Sequence, residues 1–231
     1  MPRVKHEIPS FVYDPSCVLY VPLWKRDGAT FISDDAFGHT LTVTGSTWGI
    51  QGRTFNGTDD YLTLDDTTAS SPLNFTTSNF TILAWVNFTT IPISDASSHV
   101  VLMRGVWVTS GYMVGLFNVA GVVRWRLISI QAAANQDVYS EALTLSASTW
   151  YHIAFIRNGI NITFIQNGTT LANTGVTILD PVSIATATRI GILANDISYP
   201  FKGIMGEIQV INRALTTAEV KQSYQVTKWR Y

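Results

Sequence analysis

The chain has 231 residues, of which 46% are hydrophobic and only 13% are charged, and its formal net charge is −1. This length fits one large all-β domain, and the near-zero charge argues against nucleic acid as the main partner, because counterion release needs clustered Lys and Arg. No apolar run approaches the roughly 20 residues of a membrane span. The single cysteine, Cys17, excludes an internal disulfide framework, and we expect it to be buried.

Alternating apolar and polar segments follow one another along the chain between Gly, Asn and Ser turns, which is typical of strands in a two-sheet sandwich. The predicted strands are 18–22, 40–44, 61–64, 80–88, 100–104, 112–118, 122–130, 141–143, 151–157, 160–166, 187–193 and 203–212. Asn158-Gly159 joins two of them and favours a type I′ hairpin. Near the C-terminus, Thr216 and Glu219 have the spacing of a capping box, which predicts one short helical turn.

The start of the chain differs from the rest. Residues 1–16 are rich in proline and basic at first, so we interpret them as an arm or extension, and we expect 17–231 to form a single domain. Arms of this kind often become ordered only against a partner.

Four segments carry a resemblance to a known family. They read "RTFNGTDDYLTL", "NFTILAWVNF", "STWYHIAFIRNGINITFIQNGTTL" and "RIGILANDISYPFKGIMGEIQVINRALTTAEV". In this order they resemble the laminin-G-like, concanavalin A-like jelly-roll superfamily, over nearly the whole chain from about residue 17. The resemblance implies an all-β fold, a two-sheet antiparallel jelly-roll sandwich. The superfamily includes hydrolases, lectins and adhesion modules, so the fold alone does not choose an activity.

The carboxylates argue against an enzyme. Hydrolases of the superfamily place acidic residues at alternate positions of one strand, and a retaining mechanism wants its two carboxyl groups about 5 to 5.5 Å apart. Here the acidic pairs are adjacent, as in Asp34-Asp35, Asp59-Asp60 and Asp65-Asp66, so on a strand they would point to opposite faces. We predict no catalytic residue. A carbohydrate-active enzyme with an atypical site stays as the alternative.

Calcium is the metal that the resemblance implies. Many members hold it with an aspartate just before the glutamate of an Ile-Asp-Glu-Val pattern, but this chain has Gly206 at that position, in "IMGEIQV". Because calcium needs six to eight oxygen ligands, the loss of one weakens the site. The substitute ligands that we consider are Asp59, Asp60, Asp34 and Asp35.

Sugar binding needs aromatic faces beside polar groups. The predicted ligand-binding residues are Trp107, Tyr112, Tyr199, Arg124 and Arg126. The aromatic residues among them lie near predicted loops or strand ends, and "RGVWVTSGY" is the preferred binding loop. The two arginines share one strand face, where an acidic glycan, a protein partner or simple exposure explains them equally well.

These observations together predict a non-catalytic, surface-exposed binding or decorating module. The start of the chain lacks the apolar region of a signal peptide, and we therefore expect a phage or viral structural protein, associated with a capsid or tail protein on the virion surface. We expect a homo-oligomer or larger assembly that binds glycans or a partner protein. The alternative setting is a secreted bacterial lectin-like module, located outside the cell or at its surface.

Overall fold

A computed structural model describes residues 14–131, 134–175, 177–194 and 197–231, and its strands form two antiparallel sheets. The strands of the first sheet are β1 (Cys17–Pro22), β4 (Thr47–Gly49), β5 (Gly52–Asn56), β7 (Phe80–Phe88), β12 (Trp150–Asn158), β13 (Asn161–Gln166), β14 (Thr169–Leu171) and β16 (Lys202–Ile211). Their order is β14-β13-β12-β7-β16-β5-β4, and β1 pairs with the second half of β16. The centre of this sheet is therefore β12-β7-β16.

The second sheet faces the first across the core. Its strands are β2 (Thr30–Ile32), β3 (Thr40–Thr44), β6 (Tyr61–Leu64), β8 (His99–Val106), β9 (Ser110–Val119), β10 (Val122–Gln131), β11 (Ala134–Tyr139) and β15 (Thr188–Ile190). They run in the order β11-β10-β9-β8-β15-β6-β3-β2. The two sheets confirm the predicted all-β, two-sheet antiparallel sandwich.

Period-two alternation builds the core between the sheets. On β7 the inward side chains Phe80, Ile82, Val86 and Phe88 are fully buried. Phe88 meets Trp125 of β10, with ring centroids 6.0 Å apart. Residues of the opposite parity point outward from each sheet.

The outer faces of both sheets are also covered. Helix α1 (Thr217–Thr227) packs Val220 against Leu83 and Ile156 on the outer side of the first sheet. On the outer side of the second sheet, Phe117 belongs to a buried apolar cluster to which Tyr199 contributes. Phe117 and Tyr199 both belong to the candidate functional site.

The predicted capping box is confirmed. The Thr216 backbone N–H donates to Glu219 Oε2 at 2.7 Å, and the Glu219 N–H donates to Thr216 Oγ1 at 3.3 Å. The helix that follows has 11 residues, so it is longer than the single turn expected. Tertiary packing of Val220 on the sheet explains the extra length, because short helices gain most of their stability from such packing.

The strand predicted at 141–143 is wrong. In that segment the Glu141 N–H donates to Ala172 O at 2.7 Å, whereas the Leu143 N–H donates to Val123 O at 2.9 Å. The backbone thus bonds to two different segments instead of following one partner strand. Strands that the sequence did not predict are β2, β4, β5, β11 and β14, most of them short and polar.

The predicted arm lies mostly outside the described residues, which begin at residue 14. Asp14 Oδ2 accepts a hydrogen bond from Arg213 Nη2 at 2.8 Å, and the Asn212 N–H donates to Ser16 O at 2.8 Å. Residues 14–16 therefore pack on the sandwich. The prediction that Cys17 is buried is confirmed, and no helix of the described part of the chain is long and apolar enough to span a membrane.

Candidate functional site

Arg126 lies at the centre of an aromatic and charged patch on the outer face of the second sheet. Antiparallel pairing sets Arg126 opposite Tyr139 of β11. The guanidinium group donates through Nη2 and Nε to Asp137 Oδ1, at 2.9 and 3.2 Å. It also lies over the rings of Phe117 and Tyr139, 4.8 and 5.4 Å from their centroids. The charge of Arg126 is therefore held in one orientation on a rigid strand.

Tyr199 extends this patch from the loop that follows β15. Its ring lies 5.3 Å from that of Phe117 and 6.3 Å from that of Trp107, centroid to centroid. Its hydroxyl donates to Asp95 Oδ2 at 3.0 Å. Burial and the bond to Asp95 raise the pKa of Tyr199, so the phenol keeps its proton at neutral pH.

The structure thus gathers three predicted ligand residues, Trp107, Arg126 and Tyr199, with four residues that were not predicted. We call this set the arginine–aromatic cluster: Asp95, Trp107, Phe117, Arg126, Asp137, Tyr139 and Tyr199. It combines ring faces, an oriented cation and phenol and carboxylate oxygens on one face. Aromatic side chains beside a few oriented polar groups are typical of sites that bind small ligands.

Apolar side chains and unusual backbone conformations surround the cluster. Val108 and Tyr199 have φ values of 59° and 54°, a left-handed region that bulky and β-branched residues rarely adopt. Ile93, Val108 and Ile197 each lie within two residues of a cluster member and are 89%, 52% and 64% exposed. Backbone strain of this kind is found preferentially at ligand clamps and active sites.

Tyr112, the fourth aromatic or charged candidate, is a correction. It was expected near an exposed strand end, but its side chain is only 1% exposed and points into the core. Its hydroxyl donates to Leu73 O at 2.9 Å, and its ring packs on Phe75 and Phe80. The strand alternates, so Met113, not Tyr112, lies on the outer side.

Arg124 lies on the same face of β10 as Arg126, with Trp125 buried on the other face, as predicted. Its Nη1 donates to Ser140 O at 2.6 Å, at the edge of the sheet. Arg124 is therefore directed away from Asp137, the partner of Arg126. It borders the arginine–aromatic cluster and does not join it.

Three of the four unpredicted members lie in segments without an apolar pattern. Asp137 and Tyr139 lie on β11, whose polar sequence "ANQDVY" gave no strand prediction. Asp95 lies in a short 3-10 helix, Asp95–Ser97, which has no apolar pattern. For Phe117, the signal was the alternation of β9, which places it on the outer face. Its pairing partner on β10 is Arg124, which lies on the same outer face.

The aspartates predicted as calcium ligands have other partners. Asp34 pairs with Lys25 at 2.8 Å and with Arg26. Asp35 accepts backbone N–H groups through both oxygens: Oδ2 from Tyr20 at 2.9 Å, and Oδ1 from Phe37 and Gly38 at 2.9 and 3.1 Å. Both carboxylates thus fix the local chain.

The second pair shapes a turn. Asp59 Oδ1 accepts from Asn56 Nδ2 and Asp60 Oδ2 from the Asn56 N–H, both at 2.8 Å. Burial raises the pKa of Asp60. Within the described ranges, no group of three or more His, Cys, Asp or Glu side chains is placed to hold a metal ion.

At Gly206 the space of the absent aspartate is filled. A Cβ at this position would lie 2.3 Å from the ring of Tyr231. That ring also packs against Trp85 and Trp150, each at a centroid distance of 4.6 Å. The residues present therefore do not fit the calcium site that the resemblance implies, because an aromatic ring stands where a carboxylate would be.

Comparison with known proteins identifies the family. The family model described as the concanavalin A-like lectin/glucanases superfamily, of the laminin G type, matches residues 56–221. The chain belongs to this superfamily. No curated protein matches this concanavalin A-like domain in sequence.

Several solved structures share the fold. The binding domain of Paraclostridial Mosquitocidal Protein 1 has 15% identity and a TM-score of 0.65, over 90% of this chain and 52% of its own. The Botulinum neurotoxin serotype G binding domain has 17% identity and a TM-score of 0.67, over 91% and 51%. Trypanosoma rangeli sialidase has 16% identity and a TM-score of 0.67, over 92% and 33%. The concanavalin A-like domain spans about half of the toxin domains and a third of the sialidase, and identities this low show the fold alone.

Proposed function

We propose that this concanavalin A-like domain is a non-catalytic binding module that recognises glycans through the arginine–aromatic cluster. The observation that carries the proposal is that Arg126 of β10 and the loop residues Tyr199 and Trp107 meet around Phe117 on the outer side of the second sheet. Sugars offer apolar C–H faces and hydroxyl groups. Aromatic rings suit the first, and the side chains of Arg126, Asp95 and Asp137 suit the second.

Two further observations support a binding role. Two of the similar structures are binding domains of toxins, which is consistent with a binding role for a chain of this shape. Moreover, the polar members of the cluster are already oriented by one another, as Arg126 is by Asp137. Preorganised groups lose little conformational entropy when a ligand binds, so even a shallow site gains affinity.

Replacing Tyr199 by alanine is expected to weaken binding of the best glycan about tenfold, because a central aromatic contact of this kind contributes more than about 1 kcal/mol. A glycan array finds the ligand, and calorimetry then compares the two proteins. Tyr199→Phe is the matched control: it keeps the ring but removes the bond to Asp95, so we expect a smaller loss. An array without any bound glycan, or equal affinity for wild type and Tyr199→Ala, would contradict the proposal.

We propose further that the module acts on a virion surface, bound to a capsid or tail protein as a homo-oligomer. The support is the sparse charge, since only 13% of residues are charged, which favours close packing against other proteins. We expect capsid, portal or tail genes beside its gene and an oligomer by light scattering. Neighbouring genes for polysaccharide utilisation, together with a strict monomer, would favour the secreted lectin-like module instead.

A further inference from the structure

A cavity of about 450 Å³ opens on the outer side of the first sheet, between helix α1 and the loop before β12. Its aromatic lining consists of Trp85, Trp150, Tyr224 and Tyr231. Trp85 is fixed by a bond from its Nε1 to Thr227 Oγ1 at 2.8 Å. The cavity volume falls within the range of about 300 to 1,000 Å³ that is usual for small-molecule sites.

Polar groups complete the lining. They belong to Ser148, Thr149, Asn167 and Lys228. Asn167 is held in place because its Oδ1 accepts the His152 N–H at 2.8 Å, which leaves Nδ2 as the donor group of this side chain. The Lys228 ammonium lies 5.6 Å from the ring centroid of Tyr224.

The charge around the cavity is small. Among the described residues that line the cavity, Lys228 is the one with a charged side chain. The carboxylate of Glu207 is buried and is paired with Arg230 at 2.9 Å. Hydroxyl, amide and ammonium groups beside aromatic faces suit an uncharged ligand that has apolar ring faces and hydroxyl groups.

We infer that this cavity is a second binding site, for a single neutral hexopyranose unit. The site is independent of the arginine–aromatic cluster, because it lies on the outer face of the other sheet. One face of the sugar ring would pack on Trp150, while its hydroxyl groups would reach Asn167, Ser148 and Lys228. The inference goes beyond the proposed function and stands or falls on its own, since none of these residues belongs to the cluster.

The test is a titration of the ¹⁵N-labelled protein with methyl glycosides of glucose, galactose, mannose and N-acetylglucosamine, followed through the tryptophan indole N–H signals. We expect at least one glycoside to shift the Trp150 and Trp85 signals saturably, with a dissociation constant on the order of 1 to 10 mM for a ligand of this size. Trp150→Phe identifies its signal and should weaken binding. Lys228→Ala should weaken it about two- to fivefold, as expected for one exposed polar partner.

Two further variants separate this site from the proposed function and from misfolding. Tyr199→Ala should leave the Trp150 shift unchanged. Asn167→Asp keeps the acceptor for the His152 N–H but removes the amide donor, so it should fold normally and bind more weakly. The inference is overturned if no glycoside moves the Trp85 or Trp150 signal at about 50 mM, well above the expected dissociation constant. It is also overturned if the shift disappears in Tyr199→Ala.

Discussion

Replacing Arg230 by alanine is expected to lower the free energy of unfolding by about 3 to 5 kcal/mol, because it leaves a buried carboxylate without its cation. The buried Glu207 accepts from Arg230 Nη1 at 2.9 Å, and from Tyr20 and Trp24 only at 3.3 and 3.4 Å. Arg230 also lies 3.9 Å from the ring centroid of Trp24. Chemical denaturation measures the loss. The Arg230–Glu207 pair also holds the neighbouring Tyr231, whose ring lies over Gly206.

The control for this prediction is the double variant Glu207→Gln with Arg230→Ala, which removes both charges together. It should recover a large part of the stability, because the uncompensated charge is then gone. Lys228→Ala, at an exposed cation of the same 3-10 turn, should change stability by less than about 0.5 kcal/mol. A loss below about 1 kcal/mol for Arg230→Ala alone would show that the buried pair does not hold the C-terminal segment in place.

His152 is expected to make the protein less stable in acid, by about 1.4 kcal/mol for each pH unit between roughly pH 6 and pH 4. Its side chain is 2% exposed, between the rings of Trp85 and Tyr224, and its Nδ1 has no hydrogen-bond partner among the described residues. Burial lowers the pKa of His152 from 6.5 to about 3. In this window the unfolded chain binds a proton that the folded chain does not. The stabilisation is therefore complete above pH 6.5 and is lost as the pH falls.

His152→Phe is the matched variant, since phenylalanine keeps a ring between Trp85 and Tyr224 but cannot be protonated. The informative quantity is the difference in unfolding free energy between the two proteins at each pH. This difference cancels the effect of Glu207, whose pKa is raised by burial and which therefore adds stability as the pH falls. It also cancels His99, whose pKa is lowered. Parallel stability curves for the two proteins from pH 7 to pH 4 would contradict the prediction.

The parts of the fold that sequence predicts well are those fixed by local interactions. The predicted hairpin between β12 and β13 is present, but the predicted type I′ turn is wrong. Asn158 pairs with Asn161, so the central residues are Gly159 and Ile160, and only Gly159 has a positive φ, of 61°. A glycine at the first central position is typical of a type II′ turn. The Thr216 and Glu219 capping box forms as predicted. Both features depend on residues within four positions of each other, so no knowledge of the tertiary structure is needed.

The candidate site depends on contacts between distant segments, and there the sequence is less informative. Tyr112 and Tyr199 look alike as aromatic residues near predicted loops, yet one is in the core and the other lies in the cluster. Tyr112 lies on the face of β9 that turns inward, whereas Tyr199 lies in the loop between β15 and β16. Likewise, nothing near Gly206 indicates that the ring of Tyr231 covers it. The burial of Tyr112 and the covering of Gly206 depend on tertiary contacts between segments that are far apart in the sequence.

The central claim, that this concanavalin A-like domain binds glycans through the arginine–aromatic cluster, is tested most directly by mapping the bound ligand on the protein. The measurement is a chemical-shift map of the backbone and side-chain N–H signals, recorded with the tightest glycan from the array. We expect the largest shifts at Tyr199, the Trp107 indole and the Arg126 Nε–H, and we expect them to disappear in Tyr199→Ala. A map in which these signals stay unchanged, while shifts occur elsewhere or nowhere, would contradict it.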